Sequence, residues 1–92
     1  TMKTENIIKL TLNVNNFANS SEYEHDVFIE GLSFRFTKVK DDNIDFRVVA
    51  SNSDWILRSA DYLFDTDYNM TTQIMSLIEQ IDDINESHAR LN

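Results

Sequence analysis

The run Asp65-Thr66-Asp67-Tyr68-Asn69 sets three oxygen-bearing side chains at alternate positions, as a calcium loop begins. The later positions of such a loop do not follow. Met70 stands sixth, where the sharp turn calls for Gly, and Ser76 twelfth, where a bidentate Glu closes the cage. A helix–helix turn whose acids and Asn69 cap the next helix accounts for the same residues, leaving a small calcium-binding domain as the third of three functional readings. His25 and His88 are the only histidines, they fall on different elements, and there is no Cys. A zinc site needs three or four convergent ligands. No G-x-S-x-G turn marks a nucleophile and no Gly-rich loop marks a phosphate site. The expectation is a non-enzyme with no catalytic residue, cofactor or metal.

The carboxylates say more. From Asp41 to Glu86 there are eleven acids against two arginines, Arg47 and Arg58. Asp54, Asp61 and Asp65 are spaced to line one helix, Asp67 stands at the hinge after it, and Glu79, Asp82, Asp83 and Glu86 line a second helix. Carboxylates one helical turn apart lie about 5–6 Å from each other, roughly as phosphates follow one another along a nucleic-acid strand. Two such helices side by side would offer a basic protein a surface resembling its nucleic acid. A smaller group of opposite sign, Lys9, Arg35, Lys38 and Arg47, is expected on the outer face of a sheet.

The elements that position these groups follow from periodicity. Met70, Ile74, Leu77, Ile81, Ile84, His88 and Leu91 alternate spacings of four and three, which predicts one amphipathic helix over residues 70–91. Asn69 suits its N-cap, and His88 and Arg90 suit the negative end of its dipole. Ile8, Leu10, Leu12 and Val14 alternate with polar residues, which predicts a strand over 7–14. Residues 24–29 and 32–39 form a hairpin about Glu30-Gly31, whose Gly supplies a positive φ. The hairpin sets Ile29 opposite Leu32, Val27 opposite Phe34 and His25 opposite Phe36. A fourth strand over 44–50 pairs Phe36 with Phe46, placing Arg35 against Arg47. Ser51 opens a helix with Ile56, Leu57, Ala60, Leu63 and Phe64 on its apolar face.

The predicted class is α+β: a four-stranded antiparallel sheet in the order β-β-β-β-α-α, with two C-terminal helices packed on one face. Residues 2–92 of the 92 are expected to form one domain, with Thr1 set aside. Strands of six to eight residues reach about 20–27 Å, while twenty-two helical residues reach about 33 Å. The long helix therefore overhangs its sheet, and Ile84, His88 and Leu91 are left as a seam for a second copy. Sixteen acids against eight bases give a net charge of −8, which opposes direct nucleic-acid binding and favours a partner with a basic surface. No run is long enough to span a bilayer. With no Cys and no secretory signal, a cytoplasmic setting is expected.

In size, acidity and α+β content, and on the acidic run from Asp41 to Glu86, the chain resembles the small acidic inhibitors that phages encode against host nucleases. These are the anti-CRISPR, anti-restriction and uracil-DNA glycosylase inhibitor proteins. The resemblance covers composition and layout over most of the chain and carries no single residue across. It implies a stoichiometric protein inhibitor in the host cytoplasm, its acidic surface occupying the nucleic-acid cleft of a nuclease-type partner. The alternative is an assembly module dimerising through the C-terminal helix.

Overall fold

The structure is a computed structural model and describes residues 1–55 and 57–91, Leu91 by its backbone only. The element order is α1 (Thr4–Ala18), β1 (Glu24–Ile29), β2 (Leu32–Lys38), β3 (Phe46–Ser51), β4 (Ala60–Phe64) and α2 (Met70–Leu91). The four strands form an antiparallel meander in the order β1-β2-β3-β4. Both helices lie on one face, so the class is α+β with a four-stranded antiparallel sheet. The helices bracket the sheet in sequence instead of both following it.

Two expected elements change type. Residues 7–14 satisfy a strand pattern through Ile8, Leu10, Leu12 and Val14, and a helical one through Ile7, Leu10, Val14 and Phe17. The helix prevails, burying Leu10, Val14 and Phe17 and leaving Ile8 and Leu12 at 55% and 56% exposure. Phe17 decides the contest, because a helix continued through residue 17 brings its ring onto the sheet. The ring lies 5.5 Å from both the Phe36 and Phe46 rings. The α1 C-terminus is closed by Lys38, whose Nζ donates to the carbonyls of Phe17 (2.5 Å) and Ser20 (3.0 Å) and sits 3.8 Å over the Phe17 ring.

The helix expected after Ser51 is a loop followed by β4. The Asn52 carboxamide accepts the Asp54 N–H at 2.7 Å, an Asx turn that competes with helix initiation. Leu57 then takes φ 58°, a left-handed conformation unusual for a γ-branched residue. Ala60, Tyr62 and Phe64 face the helices while Asp61 and Leu63 face outward, a period of two that also fits the spacing used for the helix. The Phe64 ring stacks on Phe46 at 4.8 Å. Ile56, placed on the apolar face of that expected helix, lies outside the described residues.

The hairpin register is as expected, with Ile29↔Leu32, Val27↔Phe34 and His25↔Phe36. Glu30 (φ 54°) and Gly31 (φ 77°) both take the left-handed conformation that a two-residue turn of this twist demands. The β2–β3 register is two residues from the expected one: Phe36 faces Val48, and Lys38 faces Phe46. An even shift keeps every side chain on its face. It also separates the two arginines, setting Arg35 against Val49 and Arg47 against Thr37.

Helix α2 spans the predicted residues. Asn69 Oδ1 caps it by accepting the Thr72 N–H at 3.0 Å, and Ile74, Leu77, Ile78 and Ile81 are buried. At Ile84 the expected overhang is covered by its own chain. Ile84 is 5% exposed. Trp55, from the β3–β4 loop, is buried too, and its Nε1–H donates to Asn85 Oδ1 at 3.0 Å. On the other flank Met2 is buried, and its N–H donates to Asp82 Oδ1 at 3.2 Å. Replacing Trp55 with Ala is expected to destabilise the fold by about 3–5 kcal/mol. Trp55→Phe, which keeps a ring and loses the bond to Asn85, is expected to cost about 1–3 kcal/mol. Urea denaturation followed by circular dichroism measures both.

Candidate protein-binding surface

The eight acids expected on two helical faces are distributed over three different settings. Glu79, Asp83 and Glu86 form one continuous outward ridge on α2, at spacings of four and three, all exposed. Glu86 pairs with Arg90 one turn on. Asp82, on the flank of that ridge, is half-buried and committed to Met2. Glu79 and Asp83 have no ion-pair partner among the described residues. Like charges at this spacing destabilise a helix by about 0.2–0.5 kcal/mol.

Asp65 and Asp67 occupy the β4–α2 turn. Asp65 Oδ1 accepts the Asp67 N–H at 2.9 Å. Its backbone is held by Gln73, which accepts the Asp65 N–H at 2.9 Å and returns an Nε2–H to the Asp65 carbonyl at 2.8 Å. The neighbouring β2–β3 loop carries Asp41, Asp42 and Asp45. Asp45 Oδ2 joins the two loops by accepting the Thr66 N–H (2.6 Å) and hydroxyl (2.8 Å). These donors, backbone first, hold the Asp45 carboxyl below its ordinary pKa of 3.8. The acidic end of the molecule is thus two tied loops below the start of α2.

Asp54 and Asp61 are not on a helix, because the helix expected to carry them is a loop and a strand. Asp54 is exposed in the β3–β4 loop. Asp61 sits on the open face of the sheet, diagonal to Arg47, and its two carboxylate oxygens take both ends of the Arg47 guanidinium. Across the face, Arg35 makes the matching fork with Asp26 at 2.9 and 3.2 Å and reaches Glu24 at 3.5 Å. Each arginine is held in its charged form, its pKa raised first by the hydrogen bond it donates to its aspartate.

The expected basic patch is therefore dispersed. Arg35 and Arg47 lie on the open face but are matched by acids. Lys38 turns to the helix side to close α1, where burial lowers its pKa. Lys9 is exposed on α1. The expected seam for a second copy is altered as well: Ile84 is in the core, His88 is half-buried, and the Leu91 side chain lies outside the described residues.

The two Gln side chains of α2 are functional in the fold and were not singled out by periodicity. Gln73 is a buried polar residue on the edge of the seam, and that position is the one sequence signal it carries. His25 Nε2 meets Asn13 Oδ1 at 2.9 Å, and its ring lies 5.5 Å from Phe36. Among the described residues no three His, Asp or Glu side chains converge as a metal-holding group, and Asn69 of the calcium-like run is spent as a cap. No described helix is long and apolar enough to cross a membrane.

Comparison with protein-family models, curated protein sequences and solved structures finds no match to this chain. The fold and its surfaces define a small α+β protein with one covered and one open sheet face.

The lowered pKa of Asp45 makes stability depend on pH. A carboxyl with its folded pKa below the unfolded value leaves the unfolded chain binding more protons between the two, so stability rises with pH through that window. The contribution is present above 3.8 and is lost as pH falls through the depressed folded value. In acid titrations followed by circular dichroism, Asp45→Asn is expected to be less stable than the parent at neutral pH, the gap closing below about pH 3.8.

Proposed function

We propose that the chain is a non-catalytic protein-binding module whose acidic surface engages a basic surface of a protein partner. In its narrower form the reading is an inhibitor of the anti-CRISPR kind, seated in the nucleic-acid cleft of a nuclease-type enzyme. The observation that carries it is the charge layout: between Arg58 and Arg90 stand seven acids and no Lys or Arg. The exposed ridge Glu79, Asp83 and Glu86 is the regular part of that layout. Its carboxylates repel one another on the helix, and a cationic partner would relieve the repulsion while an exposed neutral one would not. Net charge of this sign also accelerates encounter with a basic partner at low ionic strength.

A single ridge is narrower than two acid-faced helices, so the contact proposed is one helix laid along a basic groove, with the Asp41, Asp42, Asp65 and Asp67 end beside it. Immobilised protein is expected to retain a basic partner from a lysate and to release it with rising salt. The combined substitution Glu79→Lys, Asp83→Lys and Glu86→Lys is expected to abolish retention while leaving the helical spectrum unchanged. Release of the partner by added DNA or RNA supports the cleft-blocking form. Retention that ignores both salt and the triple substitution would sink the electrostatic reading.

A further inference from the structure

The two edges of the sheet are treated differently. The β4 edge is partly covered by α2: the Asp61 N–H donates to Gln80 Oε1 at 2.6 Å, and Gln73 takes the backbone of Asp65 just beyond the strand. The β1 edge has no such cover. The ladder alternates from the closing pair Ile29↔Leu32, so Val27 and His25 bond to β2, and the next residue in step, Tyr23, accepts the Lys38 N–H at 2.8 Å. Glu24, Asp26 and Phe28 therefore aim their N–H and C=O groups outward, and none has a hydrogen-bond partner among the described residues.

Proteins blunt such edges with Pro, a bulge or an edge Lys. The chain has no Pro, the register of β1 runs unbroken from Glu24 to Ile29, and no Lys stands on the strand. What the edge carries instead is acid. Between Ser20 and Gly31 there are Glu22, Glu24, Asp26 and Glu30 and no Lys or Arg. A second copy is disfavoured there. A two-fold that keeps both helix layers on one side pairs residues of like parity, which brings acidic side chains together at the new seam. At the ends of the edge stand two exposed aromatic rings, Tyr23 at 66% and Phe28 at 71%.

We infer that β1 is a strand-addition site for an extended, basic segment of a protein partner, antiparallel or parallel to β1, with Lys or Arg at alternate positions facing Glu24 and Asp26. Main-chain bonds from the outward groups of residues 24, 26 and 28 supply the binding, and the alternate charges supply the selection. Arg35, now shared between Glu24 and Asp26, leaves that trio with one net negative charge for the incoming cation. The site is distinct from the α2 ridge and does not rest on it.

The test is a titration of the whole protein, ¹⁵N-labelled, with a short peptide alternating Lys and Val, and with its Glu-for-Lys counterpart. The Lys peptide is expected to shift the amides of Glu24, Asp26 and Phe28 and to slow their solvent exchange; the Glu peptide is expected to do neither. Asp26→Pro removes an outward N–H and takes nothing from the β1–β2 ladder, so binding is expected to weaken about tenfold or more. Persisting protection of the His25 and Val27 amides shows that the variant is folded. Asp26→Asn keeps the N–H and is expected to weaken binding less and to reduce its salt dependence. The α2 triple-Lys variant is expected to bind the peptide still, which separates this site from the ridge. Shifts confined to Glu79 and Asp83, equal binding by Asp26→Pro, no binding at millimolar peptide, or protection that grows with protein concentration alone would each overturn the inference, the last by naming a second copy as the occupant.

Discussion

The seat of Phe17 among the rings of Phe36 and Phe46 is the contact on which the rest of this fold depends. It joins the first helix to the centre of the sheet and places three phenylalanines from α1, β2 and β3 in one cluster, to which β4 adds Phe64. Aromatic pairs at these separations contribute about 0.5–1.5 kcal/mol each beyond the area they bury. The same ring receives the Lys38 ammonium and flanks His25. Helix termination, strand β2 and the hinge into β1 are therefore adjusted to one side chain.

What could be read from the chain, and what could not, divides on how many periods a segment satisfies. The seam of α2 fits only a helix, and Glu30-Gly31 between two alternating runs fits only a tight hairpin, so both are legible. Residues 7–17 and 51–64 each satisfy a period of two and a period near 3.6 at once, and tertiary partners settle them: the Phe17 seat for the first, the vacant side of β3 for the second. The register of β2 on β3 is legible only to within an even number of residues, because any even slip preserves the buried face. The loop 39–45, closed by the Val39 N–H on the Asp45 carbonyl at 3.0 Å, chooses among them.

The candidate surfaces follow the same division. Charge excess is a property of composition and survives any change of element, whereas its arrangement does not. Glu79, Asp83 and Glu86 share a face because their helix was unambiguous. Asp54 and Asp61 part from them because theirs was not. The two arginines of the open sheet face, like neighbours in the expected register, are each provided with an aspartate in the true one. A face that composition alone would mark as basic is locally balanced, and acid on the strand edge becomes the distinguishing feature of that side.

The bond from the Met2 N–H to Asp82 spans eighty residues. Its reach ties the residues before α1 to α2, so the helix layer is fastened by groups at opposite ends of the described fold. Hairpin contacts between β1 and β2 are local and close quickly, whereas the contacts of α2 join residues distant in sequence and close more slowly. A chain in which α2 has not docked would expose the part of the core face that α1 does not cover, beside an unpaired strand edge. The undocked form is thus the one in which apolar surface and a free strand edge are open to other chains at the same time.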